Sequence, residues 1–367
     1  MPRYNHSVKR LPPSPKTDLE ANLQTIDDLF ATAGLVRNRR STRPGITDRL
    51  RAERKDPATK AELSGAAPLP TRASNGVEFL QIPGWTRAGS RESAWLLHGF
   101  STRRRGVSRA YCAEDDPGEL NLTFTKEDNP DAVIQNRRLF AEAVTGDPAF
   151  PIVTLRQFHS NLVVIANRAD SARRTPRRAD GLMTAEPGVL LAVQTADCIP
   201  VLVADRSRRV VAAFHAGWRG TVKRIVECGI GRMRIEFGSR PEDLIAAIGP
   251  GVGVCCYAVG EEVRSSFESQ FVYARELFRD VSDSDPIRTK YPMLFLTQRA
   301  PGHSPIGPSL HLDLVEANRR QLLDAGLKSG AISITGGCTS CHRGLFFSHR
   351  AARGHAGRML SVIGIRG

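Results

Sequence analysis

Aromatic side chains are scarce in this chain, 6% of 367 residues, with three tryptophans and five tyrosines. That leaves little for a base-stacking platform, and it argues against nucleic acid as the main partner despite a formal charge of +14. The positive charge is spread along the chain as arginine, a bulk property that suits anionic small substrates equally well. No run reaches the ~18 apolar residues of a membrane span. The basic opening Met-Pro-Arg-Tyr-Asn-His-Ser-Val-Lys-Arg is followed by no apolar stretch, so it does not read as a secretory signal. Seven cysteines, an odd number, argue against a secreted disulfide scaffold and for a reducing compartment. Among nine histidines there is no His-X-His pair, which a four-copper oxidase would need. The expected location is the cytoplasm, with organellar targeting by the first residues left open.

What is present is the composition of one sizeable enzyme, 41% hydrophobic and 25% charged. Residues 1–75 stand apart as a basic N-terminal extension. They hold Pro12-Pro13-Ser14-Pro15 and the arginine-rich stretches 37–43 and 49–55, with one amphipathic segment over 19–35. Such a segment buries little apolar area and is expected to be largely disordered. Eight acidic residues within it count against a transit peptide. From 76 to 367 strands and helices alternate in the manner of a single mixed α/β domain. Strands are expected over 77–82, 94–99, 152–155, 162–166, 189–193, 199–204, 210–214, 244–248, 346–348 and 360–365. Helices are expected over 131–144, 221–237, 259–269 and 314–325, the last ending at Gly326. The stretch to about 308 is poorly patterned.

Three residues placed at the ends of apolar runs carry the chemistry. His159, Cys198 and His215 follow one another at 39 and then 17 positions. Two imidazoles and a thiolate are ligands of the kind a catalytic zinc takes, with a fourth position left for water or substrate. The spacing is too long for a zinc finger and suits strand ends in a pre-built fold. Cys198 reads equally as a nucleophile beside a histidine, since either role needs a lowered pKa. His215-Ala-Gly-Trp-Arg-Gly-Thr221 joins a strand to a helix. The amides at the start of 221–237, with Arg219 alongside, would suit a phosphate. Cys338-Thr-Ser-Cys341-His342 fits the c-type haem attachment pattern, but haem attachment needs an export route for which no signal is present. Cys255-Cys256 reads as packing, because adjacent cysteines do not easily share one metal.

Thr195-Ala-Asp-Cys-Ile-Pro, His215-Ala-Gly-Trp-Arg-Gly, Ile248-Gly-Pro, Cys338-Thr, Phe346-Phe-Ser-His-Arg and Gly357-Arg358 occur in this order. With His98-Gly-Phe-Ser-Thr-Arg103 and Leu120-Asn-Leu122 before them, the chain from about residue 80 onward resembles the purine nucleoside phosphorylase family. That family is also called the laccase-domain or polyphenol-oxidase-like family. The resemblance implies a layered α/β/β/α sandwich and zinc held by His159, Cys198 and His215. Copper enters only through the oxidase name. It also places Asn121 and Arg137 near substrate or phosphate, a role that suits a guanidinium, with Arg103 a weaker candidate. Gly251, Ala258 and His349-Arg350-Ala351 depart from the family pattern, and the last change leaves open how the carboxy-terminal segment holds substrate.

The activity so implied is phosphorolysis of adenosine, inosine or a methylthio analogue to base and sugar 1-phosphate. Adenosine deamination is implied beside it, a chemistry a metal-activated water suits. Purine nucleosides and phosphate are the expected partners, and no feature speaks to oligomeric state. Two other readings stay open: a cysteine- or zinc-dependent amidase acting on peptidoglycan precursors, and a basic protein that binds RNA or a partner through residues 1–75.

Overall fold

The protein is described by a computed structural model over residues 58–85, 94–112, 118–282 and 309–367. The segment 19–35, the arginine-rich stretches and the poorly patterned part between 283 and 308 lie outside the described residues. From Pro57 onward the chain forms one compact unit.

In chain order its strands are β1 (Ala58–Thr59), β2 (Thr71–Arg72), β3 (Glu78–Leu80), β4 (Leu96–Ser101), β5 (Arg104–Ser108), β6 (Ile152–Val153), β7 (Val163–Ile165) and β8 (Gly181–Thr184). There follow β9 (Val189–Thr195), β10 (Ile199–Asp205), β11 (Val210–Ala216), β12 (Leu244–Ile248), β13 (Phe278–Ser282), β14 (Ser309–Leu312), β15 (Ile332–Ile334) and β16 (Met359–Ile365). The helices are α1 (Lys60–Leu63), α2 (Pro130–Thr145), α3 (Trp218–Val222), α4 (Ile225–Phe237), α5 (Glu261–Glu268) and α6 (Leu314–Asp324).

Two six-stranded mixed sheets face each other, in the orders β15-β12-β10-β11-β8-β7 and β2-β3-β4-β16-β9-β6. A small sheet β1-β13-β14 stands beside them. Side-chain alternation along the strands builds the layers. Leu202 and Ala204 of β10 and Ala213 of β11 join Leu191, Val193 and Ile363 in the core between the two sheets. Val201, Val203, Ala212 and Phe214 point the other way, onto Ile225, Ile230 and Met233 of α4 and Leu322 of α6. On the far side Leu190, Ala192, Leu360 and Val362 pack against Phe140 and Val144 of α2. The layering is therefore α/β/β/α. Every residue of β9, β10, β11 and β16 except Gln194 is buried. A strand covered on both faces reads as a continuous apolar run instead of an alternating one, which is why these strands stand out in the sequence. Each such Val, Leu or Ile contributes roughly 1.5–3 kcal/mol through burial.

Several elements differ from expectation. Residues 346–348 form no strand: Phe346 and Phe347 sit buried in a turn, filling the inter-sheet core. The expected helix 221–237 is two helices, broken where Arg224 takes a left-handed φ of 60°. The break is satisfied locally. Arg224 donates to Glu227 and lies over the Phe271 ring, and Gln321 Nε2 donates to the Thr221 carbonyl at 2.7 Å. Strands β5, β8, β14 and β15 are short, and periodicity gave no signal for them.

Candidate active site

Cys198 immediately precedes β10, and His215 lies near the end of β11. The antiparallel register pairs Pro200 with His215, so the two ligands meet at one end of the sheet. His159 arrives from the loop before β7. The ligand atoms of His159, Cys198 and His215 all lie within 4.8 Å of one another. Cys198 Sγ is 3.8 Å from His159 Nε2, and the two imidazole rings are 5.0 Å apart.

One buried carboxylate holds both histidines. Asp180 Oδ1 accepts from the His159 amide at 2.9 Å and pairs with His215 Nδ1 at 2.8 Å. Its Oδ2 accepts from the Ser160 amide and hydroxyl, each at 2.7 Å. These bonds hold His159 at a φ of 62°, an uncommon conformation for a non-glycine residue that persists only where its surroundings enforce it. They also leave His215 Nε2 facing the thiolate. A carboxylate on the far nitrogen of a ligating histidine fixes the tautomer and raises ligand basicity.

A second carboxylate supports the cysteine. Asp197, with φ 95°, accepts from Thr339 Oγ1 at 2.6 Å and from the Arg350 amide at 2.7 Å. Lys223, turned back by the helix break, donates to the His159 carbonyl at 3.2 Å.

The electrostatics match a ligand set. Burial pushes the Cys198 thiol up, but His215 and His159 beside it outweigh that and hold it at about 6. Burial likewise pushes His215 down, while the Cys198 charge and the Asp180 hydrogen bond bring it to about 9. Burial raises Asp180, yet the bonds from His215 and Ser160 leave it well below the usual carboxylate range. The space at the centre is held open by Gly217, where an added Cβ would lie 2.7 Å from His159 Cδ2 and 2.9 Å from Cys198 Sγ. Two imidazoles and a low-pKa thiol converging on that space fit a zinc ion with one open position.

The other expected site residues are spread out. Arg219 lies on α3, which starts at Trp218 and not at 221, and its guanidinium stacks 4.3 Å over the Trp218 ring. Asn121 is fully buried: its amide donates to Asp128 at 2.6 Å, and its oxygen accepts from the Arg358 amide at 2.9 Å. Arg137 donates to the Leu122 carbonyl at 2.8 Å and lies over the Phe124 ring, in a groove of ≈ 690 Å³ that also meets Arg156 and Gln194. Burial lowers its guanidinium to about 10. Gln194 of that groove is tied through its backbone to the side chain of Gln157, two residues before His159, at 2.8 and 2.7 Å. Arg103 is ion-paired with Glu119.

Sequence reasoning passed over Asp180 and Tyr257, and named Arg350 only within the His349-Arg350-Ala351 departure. Asp180 follows an arginine-rich turn and looks like a surface residue, and its only sequence signal is the buried strand after it. Tyr257 is pushed up by burial and by the charge of Cys198, with Arg350 and Arg219 opposing. Arg350 lies 5.0 Å over the Tyr257 ring.

Fold and site together define a layered α/β domain with a preorganised His–Cys–His ligand set supported by two buried aspartates. Residues 97–366 match the family described as multi-copper polyphenol oxidoreductase laccase, and the chain belongs to that family. It is 33% identical over 273 residues to a protein named purine nucleoside phosphorylase from Bacteroides thetaiotaomicron, covering 73% of this chain and 91% of that one. Purine nucleoside phosphorylase YlmD of Geobacillus stearothermophilus is 34% identical over 292 residues, covering 77% and 95%. The crystal structure of that YlmD superposes with a TM-score of 0.61 over 79% of this chain and 99% of the other. Bacillus licheniformis YfiH, at 31% identity, superposes with a TM-score of 0.63 over 78% and 96%.

Proposed function

We propose that the protein is a zinc-dependent purine nucleoside phosphorylase acting on adenosine, inosine or methylthioadenosine. The observation that carries this reading is the convergence of His159, Cys198 and His215 around an open centre, in a chain whose relatives bear that name. The three residues would hold the ion, which when bound supplies a Lewis acid at neutral pH. The chain's own groups do the rest. Arg219 and Arg350 offset the charge of phosphate beside the centre, and Tyr257, kept protonated by burial, offers a hydrogen bond. Asp180 holds both histidines in place through catalysis. In the reaction the ribose–base bond breaks, an oxygen of dihydrogen phosphate bonds the anomeric carbon, and the phosphate proton ends on the base. Asn121 and Arg137 act at one remove, positioning the 121–123 loop. Adenosine deamination at the same centre is the companion activity.

A second reading has a specific support. Cys198, His215 and Asp180 are also ordered as nucleophile, base and orienting acid, an arrangement that would serve a thiol amidase. Product analysis separates the two. Purified protein is incubated with adenosine and inosine, with and without phosphate, beside Cys198→Ala. Free base released only with phosphate and only by the wild type supports the phosphorylase. No turnover from zinc-loaded protein, with cleavage of a muropeptide amide instead, sinks it.

A further inference from the structure

Behind the Cys198 loop lies a second convergence of ligating atoms that the proposed reaction does not use. Strands β12 and β15 are parallel neighbours, and an isolated parallel bridge between Gly251 and Cys338 carries their pairing onward. The loops leaving their carboxy-terminal ends each carry two cysteines. The sulfurs of Cys255, Cys256, Cys338 and Cys341 all lie within 4.8 Å of one another. Cys341 Sγ is 3.5 Å from Cys255 Sγ and 3.4 Å from Cys256 Sγ. A tetrahedron of sulfurs at about 2.3 Å from a zinc ion has edges of about 3.8 Å, so these positions need only small adjustment to take one.

Adjacency of Cys255 and Cys256 is the obvious objection, and the backbone answers it. The amides of Cys256 and Tyr257 both donate to the Gly253 carbonyl, at 2.9 and 3.1 Å, and this tight turn brings both side chains toward Cys341. Gly253 allows the approach: a Cβ there would stand 3.1 Å from Cys338 Cβ and 3.2 Å from Cys255 Sγ. Cys338-Thr-Ser-Cys341 has the two-residue spacing usual for zinc knuckles. The surroundings are those of thiolates and not of apolar packing alone. The Gly253 amide donates to Cys338 Sγ at 3.2 Å, and Lys60 at the start of α1 lies near enough to Cys256 for their charges to interact.

We infer that Cys255, Cys256, Cys338 and Cys341 form a second, structural metal site, a four-thiolate zinc centre that clamps the 251–257 and 336–342 loops together. On binding, the four thiols give up their protons and the site carries two net negative charges, which Lys60 and the Gly253 amide offset. The clamp bears on the first site through Thr339, whose hydroxyl holds Asp197 next to Cys198, and through the Val252 amide, which donates to the Asp197 carbonyl at 2.8 Å.

The test is metal content of the full chain purified from zinc-supplemented, reducing conditions. Two zinc equivalents are expected for the wild type, and one each for Cys198→Ala and for the Cys338→Ser/Cys341→Ser double variant. A readout that does not depend on the double variant folding is cobalt-loaded Cys198→Ala. It should retain the intense thiolate-to-cobalt charge-transfer and visible bands of a tetrahedral four-sulfur site. A single zinc equivalent that Cys198→Ala abolishes, with no such cobalt bands, overturns the inference. So does a wild-type mass two daltons low that maps to a disulfide among these cysteines, or iron with acid-labile sulfide in place of zinc.

Discussion

At Asp180 a single carboxylate accepts from three successive backbone amides, from the Ser160 hydroxyl and from His215. Asp180→Asn keeps the volume and removes the charge, so it acts on two ligands at once. The expected result is a metal affinity about 10- to 100-fold weaker, measured by competition with a chromophoric chelator. The accompanying stability loss should be about 1.5–3 kcal/mol, as for hydrogen bonds to a charged group. Gly217→Ala tests the opposite kind of change. Its backbone has an ordinary φ of −71°, so the new methyl meets no strain, only His159 and Cys198. Metal binding and turnover should fall together, with the thermal midpoint of metal-free protein lowered as well because His159 and Cys198 must shift to make room. If metal binding survives Gly217→Ala unchanged, the centre does not lie where the three ligands point. His159, Cys198 and His215 were visible candidates in the sequence because each follows or interrupts an apolar run. Asp180 was not, because its burial comes from a strand pairing that no local pattern announces.

Among the elements, the loop from β15 reaches across to support the turn before β10. Thr339→Val removes a 2.6 Å hydrogen bond to the buried carboxylate of Asp197 and changes little in shape. The expected cost is about 1–3 kcal/mol in denaturant unfolding, the penalty for a buried acceptor losing a partner. Turnover should drop with it, and metal content at the first site should fall less than turnover does. The buried strands β9 to β12 and β16 were readable as apolar runs, and α2 by the helical spacing of 131–144; Asn129 caps its Asp131 amide at 2.9 Å. The break between α3 and α4 was invisible, since apolar spacing runs straight through Arg224 and only contacts with Phe271, Glu227 and Gln321 favour it. The cysteine quartet was hidden for a related reason: its halves lie more than 80 residues apart, and only the parallel pairing of β12 with β15 joins them.

For the whole molecule, stability should depend on pH through a residue remote from the ligands. His98 in β4 is fully buried, accepts the Ile82 amide at 2.8 Å and packs 5.0 Å from the Trp85 ring. Its other ring nitrogen has no hydrogen-bond partner, and burial lowers its pKa to about 4. As pH falls below the ordinary value near 6.5, the unfolded chain takes up this proton before the folded one does, so stability falls through the window from 6.5 to about 4. The contribution lost is about 3 kcal/mol. Urea unfolding at several pH values should show His98→Gln losing less than the wild type across that window by about this amount. Parallel curves for the two proteins would mean that His98 titrates normally. The layered fold makes such burial routine, and the function proposed is that the His159–Cys198–His215 centre, charged with zinc, splits purine nucleosides with phosphate. The most direct measurement titrates metal-free protein with zinc while following phosphate-dependent release of base from inosine and adenosine. The account predicts release that rises with zinc, stops without phosphate and is absent in Cys198→Ser. Full turnover by metal-free protein, or no base release at any zinc loading, would contradict it.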